Sequence, residues 1–184
     1  MASPSGQFAR RSGRTFVGGL VALCGAAAGM LGLSGCRMAT AFRGDGYAPG
    51  AGVRLAGVGE TVTVGITNAV LDNSKRGPFD DFTRQTVESL PGTPGYIGHS
   101  VRTVILGNEV WTMTVWRDEQ ALDAFVESPV HQQAIRQGLA AVTSARFLRF
   151  EWPTRSVPPS WDEVLERLKN AEVIDYTKRR GDRQ

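Results

Sequence analysis

The chain has 184 residues, 21 basic and 18 acidic, for a formal charge of +3, with two cysteines and two histidines. Three of the basic residues (Arg10, Arg11 and Arg14) precede Cys36 and no acid does, so residues 37–184 carry 18 charges of each sign. That balance removes the electrostatic case for a nucleic-acid partner. Cys24 and Cys36 both fall in the first 36 residues, so the remainder has no disulfide, thiol nucleophile or cysteine metal ligand.

Residues 1–36 read as an export signal: a basic start, an uncharged apolar run over 15–35, then Leu33-Ser34-Gly35-Cys36. The last four residues resemble a bacterial lipobox, which implies that Cys36 is lipidated and becomes the mature N-terminus. An uncleaved anchor is the alternative, since about 20 apolar residues can span a bilayer, although Gly18, Gly19, Gly25 and Gly29 make a poor span. Both readings place the domain on the extracytoplasmic side of the cell membrane, because the arginines stay inside. Arg10-Arg11 leaves general and twin-arginine export both open.

Residues 37–60, rich in glycine and without apolar periodicity, read as a flexible tether. Residues 61–67 alternate as a half-buried strand. Phe79, Phe82, Thr86, Val87 and Leu90 then recur at helical spacing, before a break at 91–95. Strands at 96–106 and 109–116, joined by Gly107-Asn108, read as a hairpin. Asp118 and Ser128 are N-cap residues for helices over 118–127 and 129–139, and Pro129 suits a first helical position. A fourth strand covers 145–152, and Ser160 to Glu163 is a capping box that opens a terminal helix. Residues 176–184 are a polar tail whose Lys178-Arg179-Arg180 run reads as a frayed terminus, with contact to anionic lipid as the other reading.

The order predicts an α+β domain over 61–175: a ferredoxin-like βαββαβ fold with a four-stranded antiparallel sheet plus a C-terminal helix. Trp111, Met113 and Val115 share one face of the third strand, and Leu148, Phe150 and Trp152 one face of the fourth. An apolar second face needs a cover, and a second copy of the sheet is the simplest one. The expectation is therefore a homodimer.

The pattern Thr114-Val115-Trp116, Ala121-Leu122-Asp123-Ala124-Phe125 and Ser128-Pro129-Val130-His131 resembles the dimeric α/β-barrel superfamily of antibiotic-biosynthesis and haem-degrading monooxygenases. Haem-degrading members carry a catalytic Trp where this chain has Phe125 and a haem-ligating His where it has Ile135. Asn68 is the one candidate for their third functional residue, so the resemblance disfavours haem degradation. His131 instead matches a histidine that polyketide-cyclase members use as acid or base.

Read from the residues alone, His131 sits in the first turn of a helix, where the macrodipole disfavours imidazolium and leaves a base near neutrality. The other reading has its ring bonding the Ser128 backbone to lock the junction. Trp116, Phe125, Trp111 and His99 are the candidate walls of a ligand pocket, with plain core packing as the alternative for each. Two histidines without cysteines give no dedicated metal site. No cofactor is expected, with a single axial haem ligand left open. The function these features imply is a membrane-anchored, cofactor-independent monooxygenase-like or cyclase-like enzyme for a small hydrophobic or aromatic molecule. The alternative is a non-catalytic module that binds haem or another hydrophobic ligand.

Overall fold

A computed structural model describes residues 37–177. The export signal, Cys36 and the basic run of the tail lie outside the described residues. In chain order the strands are β1 (Arg37–Ala39), β2 (Tyr47–Ala48), β3 (Gly52–Val53), β4 (Thr61–Leu71), β5 (Tyr96–Val104), β6 (Glu109–Trp116), β7 (Val142–Pro153) and β8 (Ile174–Asp175). The helices are α1 (Arg76–Glu88), α2 (Glu119–Glu127), α3 (Pro129–Gly138) and α4 (Trp161–Leu168). Six strands form one sheet in the order β1-β5-β6-β4-β7-β8, with every neighbouring pair antiparallel. Its central four strands and α1 to α3 make the expected ferredoxin-like βαββαβ arrangement.

The alternation in β4 sets the two layers. Val62, Val64 and Ile66 face one side, where they join Trp111, Met113 and Val115 of β6 in one buried cluster. Ala69 and Leu71 face the other side, with Val110 and Ala145, packed by Phe79 near the start of α1 and Leu139 just after α3. Gly65 lies under α2, where an added Cβ would stand 3.1 Å from Leu122. Three local signals in the sequence are realised as hydrogen bonds. Asp118 caps α2, Ser128 caps α3, and Ser160 with Glu163 forms the capping box of α4.

The second face of the sheet differs from expectation. Residues expected as a tether run along it: β1 pairs with β5, with Arg37 opposite Val104, and Arg43 bridges His99. Gly44 and Gly46 pass so close to β5 that a Cβ would stand 2.3 Å from the Ile97 carbonyl in the first case and 2.7 Å from the Ile97 Cα in the second. Only glycine admits that approach. Phe42, Tyr47, Val53, Leu55 and Val58 from this strap pack on the apolar cluster, as do Trp161, Val164, Leu165 and Leu168 of α4. Trp161 Nε1 donates to Ser100 Oγ (3.1 Å), which donates to the Thr40 carbonyl (2.8 Å), so α4, β5 and the strap are tied together. The face expected to require a second copy is covered by residues of the same chain.

Three boundaries also move. β4 continues through Asn68 to Leu71, α1 starts at Arg76 behind a 3₁₀ turn capped by Asp72, and β7 begins at Val142. The β5–β6 turn is centred on Ile105-Leu106, not on Gly107-Asn108, with Gly107 N–H donating to the Val104 carbonyl.

Candidate functional site

β6 ends at Trp116, whose side chain points toward α2. Asp118 then turns the chain: its Oδ1 accepts from Ala121 N–H at 2.8 Å, and its Oδ2 from Arg117 Nε at 2.8 Å. The Arg117 contact, with the amide second, holds this carboxyl below the usual carboxylate range. α2 stops at Ser128, whose extended backbone and side chain restart the helix as α3: Ser128 Oγ accepts from His131 N–H at 3.3 Å. Pro129 fits the first position of α3 because no intrahelical donor is needed there.

His131 does not bond the Ser128 backbone with its ring. Its Nδ1 lies 3.1 Å from the Val126 carbonyl, which also accepts from Gln132 Nε2 at 2.8 Å. A carbonyl can only accept, so Nδ1 carries the proton and, in the neutral ring, Nε2 keeps its lone pair. Burial pushes the pKa of this half-buried ring down, partly opposed by the Val126 contact. The result is a fixed neutral imidazole whose basic nitrogen is the one not bound to the backbone.

The ring of His131 packs on Phe125 with centroids 4.8 Å apart. Phe125 stacks on Trp116 at 4.9 Å, Trp116 meets Tyr96 edge-on at 5.5 Å, and Tyr96 lies 6.2 Å from His99. Both histidines are thus ends of one aromatic row on the helix side of the sheet. A bulge at Ile97 makes this geometry: Tyr96 pairs with Trp116 and His99 with Thr114, while Ile97 goes to the opposite cluster. The bulge thereby puts His99 and Ile97 on opposite faces. Tyr96 Oη is 3.3 Å from the Arg43 carbonyl and 2.5 Å from His99 Nδ1. One arrangement satisfies both contacts: Tyr96 donates to the carbonyl and His99 Nδ1–H donates to Tyr96. Burial pushes the Tyr96 phenol up and the His99 imidazole down.

Four of the expected site residues (His131, Phe125, Trp116 and His99) therefore come together, with Tyr96 as the link that sequence reasoning missed. Trp111 does not join them. It is 5% exposed on the opposite face, in a cross-strand row with Arg102, Asn68 and Arg146. Asn68 is turned away from His131 for the same reason, which places the third haem-site candidate on the wrong side of the sheet. Strand parity assigns both residues their face. Cys36 lies outside the described residues.

Trp116 is fully buried and Phe125 is 7% exposed, so they fill the helix-side core instead of lining an open cavity. A cavity of about 210 Å³ lies elsewhere, between the start of β4, Asp118 and Arg149 to Glu151. It falls below the roughly 300 Å³ at which ligand pockets begin. Its cations are paired: Arg117 with Asp118, and Arg149 with Asp123 and Glu119. Among the described residues, no three His, Asp or Glu side chains gather as a metal site, and no helix is long and apolar enough to cross a membrane.

A family model described as antibiotic biosynthesis monooxygenase matches residues 74–137, from the turn before α1 to the last turn of α3. Over those residues the chain is similar to that family. The match takes in the whole Trp116, Phe125 and His131 motif. Among solved structures, a putative monooxygenase from Lactobacillus acidophilus NCFM is similar at 15% identity and TM-score 0.45, over 64% of this chain and 52% of that one. A putative antibiotic biosynthesis monooxygenase from Nitrosomonas europaea is similar at 14% identity and TM-score 0.48, over 58% of this chain and all of that one. A mutant of SnoaB, a cofactor-independent oxygenase from Streptomyces nogalater, is similar at 16% identity and TM-score 0.43, over 55% of this chain and all of that one. No curated protein matches.

Proposed function

We propose that this monooxygenase-like domain is held at the extracytoplasmic face of the cell membrane by a lipid on Cys36. There it works as a cofactor-independent oxygenase or cyclase on a small electron-rich aromatic molecule. The observation that carries the proposal is His131, a neutral imidazole with Nδ1 tied to Val126 and its basic Nε2 left over. Both reactions open with the same step. The base removes a proton from an acidic O–H or C–H of the substrate, giving a phenolate or enolate and an imidazolium. The Val126 carbonyl stabilises that imidazolium through Nδ1–H. Phe125 lies against the ring, and an aromatic substrate suits its neighbourhood.

Oxygen uptake and product formation by the lipidated full chain, across hydroxylated polycyclic aromatics, test this reading. His131→Gln is expected to lower turnover by about 100-fold or more, the usual yield of one acid–base group. Turnover equal to the unsubstituted chain would contradict it.

The same unbonded Nε2 of His131 supports a second reading, in which the domain binds haem or another hydrophobic ligand without catalysis. Haemin titration should then shift the Soret band, and His131→Ala or His99→Ala should abolish the shift.

A further inference from the structure

We infer that the tip of the β5–β6 hairpin, Ile105 and Leu106, is a membrane-docking tip that seats in the surface of the bilayer holding the anchor. The inference rests on the anchoring part of the proposed function. Leu106 is 100% exposed and Ile105 46% exposed. A single exposed leucine needs no explanation, but this one occupies an unfavourable backbone position. It sits at φ +60° in the third position of its turn, where Gly or Asn is usual and a branched side chain is strained. Neither packing nor local conformation accounts for a leucine here.

The turn is also rigid. Arg76 donates to the Gly107 carbonyl at 2.7 Å and to Thr103 Oγ at 3.1 Å. Leu71 N–H donates to the Asn108 carbonyl at 2.8 Å. Two strands and α1 therefore hold the apolar tip outward.

The position of β1 identifies what the tip meets. Arg37 pairs with Val104 in antiparallel register, so the chain traced back from Arg37 runs toward Ile105. Whatever is joined to Arg37 leaves the domain within one residue of the tip, a Cα step of about 3.8 Å. The preceding residue is Cys36, the lipid candidate. Met38, 60% exposed, adds apolar surface at the same end. Arg37 itself is exposed there, while Lys75 is paired with Asp72. Exposed apolar side chains with Arg37 beside them, next to the point where the proposed anchor joins, fit an anionic bilayer surface, where two weak attachments together hold firmly.

The test uses the lipidated full chain in vesicles of phosphatidylethanolamine and phosphatidylglycerol, with an environment-sensitive fluorophore on Leu106→Cys or, at the far end of the sheet, on Glu60→Cys. Quenching by a bilayer-confined lipid quencher is expected to be about threefold or more stronger at 106 than at 60, and iodide quenching correspondingly weaker, as for a side chain seated in the headgroup region. Equal access of iodide to both positions overturns the inference. A label on Ile105→Cys gives the same comparison with Leu106 intact. Adding Leu106→Asn, which suits the turn, should return iodide access at 105 to the level at 60; an unchanged signal overturns the inference. Only membrane-bound protein is scored, so the tip is tested apart from the anchor. Retention of Cys36→Ser on membranes would refute the lipid anchor without bearing on the label comparison.

Discussion

Trp116 is the largest side chain with no exposed surface, and its indole N–H finds no acceptor. A buried donor left unpaired costs about 1–3 kcal/mol, so the ring is kept for its shape between Tyr96 and Phe125. Trp116→Phe removes the unpaired donor while retaining an aromatic face. It is expected to change stability by less than about 1 kcal/mol in chemical denaturation, whereas Trp116→Ala should cost about 3–5 kcal/mol through the cavity it leaves. A Phe variant as damaged as the Ala variant would show that the indole nitrogen has an unrecognised partner. His131 and Phe125 were legible as neighbours because helical spacing and the Ser128-Pro129 restart are local. The partner of the ring was not legible. Nothing in the spacing distinguishes the Ser128 amide from the Val126 carbonyl.

Among the elements, the strap over residues 37–60 departs most from its sequence. Its composition is that of a linker, and its glycines carry no apolar periodicity. Gly44 and Gly46 serve close backbone approach to β5, which depends on a partner more than 50 residues away in the chain. Such contacts leave no local pattern. Gly44→Val would drive a Cβ into the Ile97 carbonyl and the Gly98 Cα at 2.3 and 2.4 Å. The expected result is a detached strap, read as faster trypsin cleavage at Arg43 and Arg54 and self-association through the uncovered apolar face. Cleavage at the unsubstituted rate would contradict the packing described. Elsewhere the elements were readable where capping or period-two alternation is local, as at Asp118, Ser128, Ser160 and β6. A bulge such as the one at Ile97 leaves no local pattern, so alternation alone does not give the face that His99 takes.

Across the whole molecule, the apolar second face was legible, and the strap and α4 of the same chain pack on it. Composition shows that a face must be buried but not which segment buries it. The molecule has only two histidines, and burial lowers the pKa of both. The unfolded chain therefore binds more protons than the folded one just below pH 6.5, and stability is lost as the pH falls from there toward the folded values. These two rings also make the functional account directly measurable. An NMR titration of ring nitrogens in the full chain, assigned with His99→Gln, should find His131 protonated at Nδ1, bare at Nε2, and titrating below 6.5. A ring protonated at Nε2 at neutral pH, or one titrating at or above 6.5, would contradict the assignment of His131 as the neutral base.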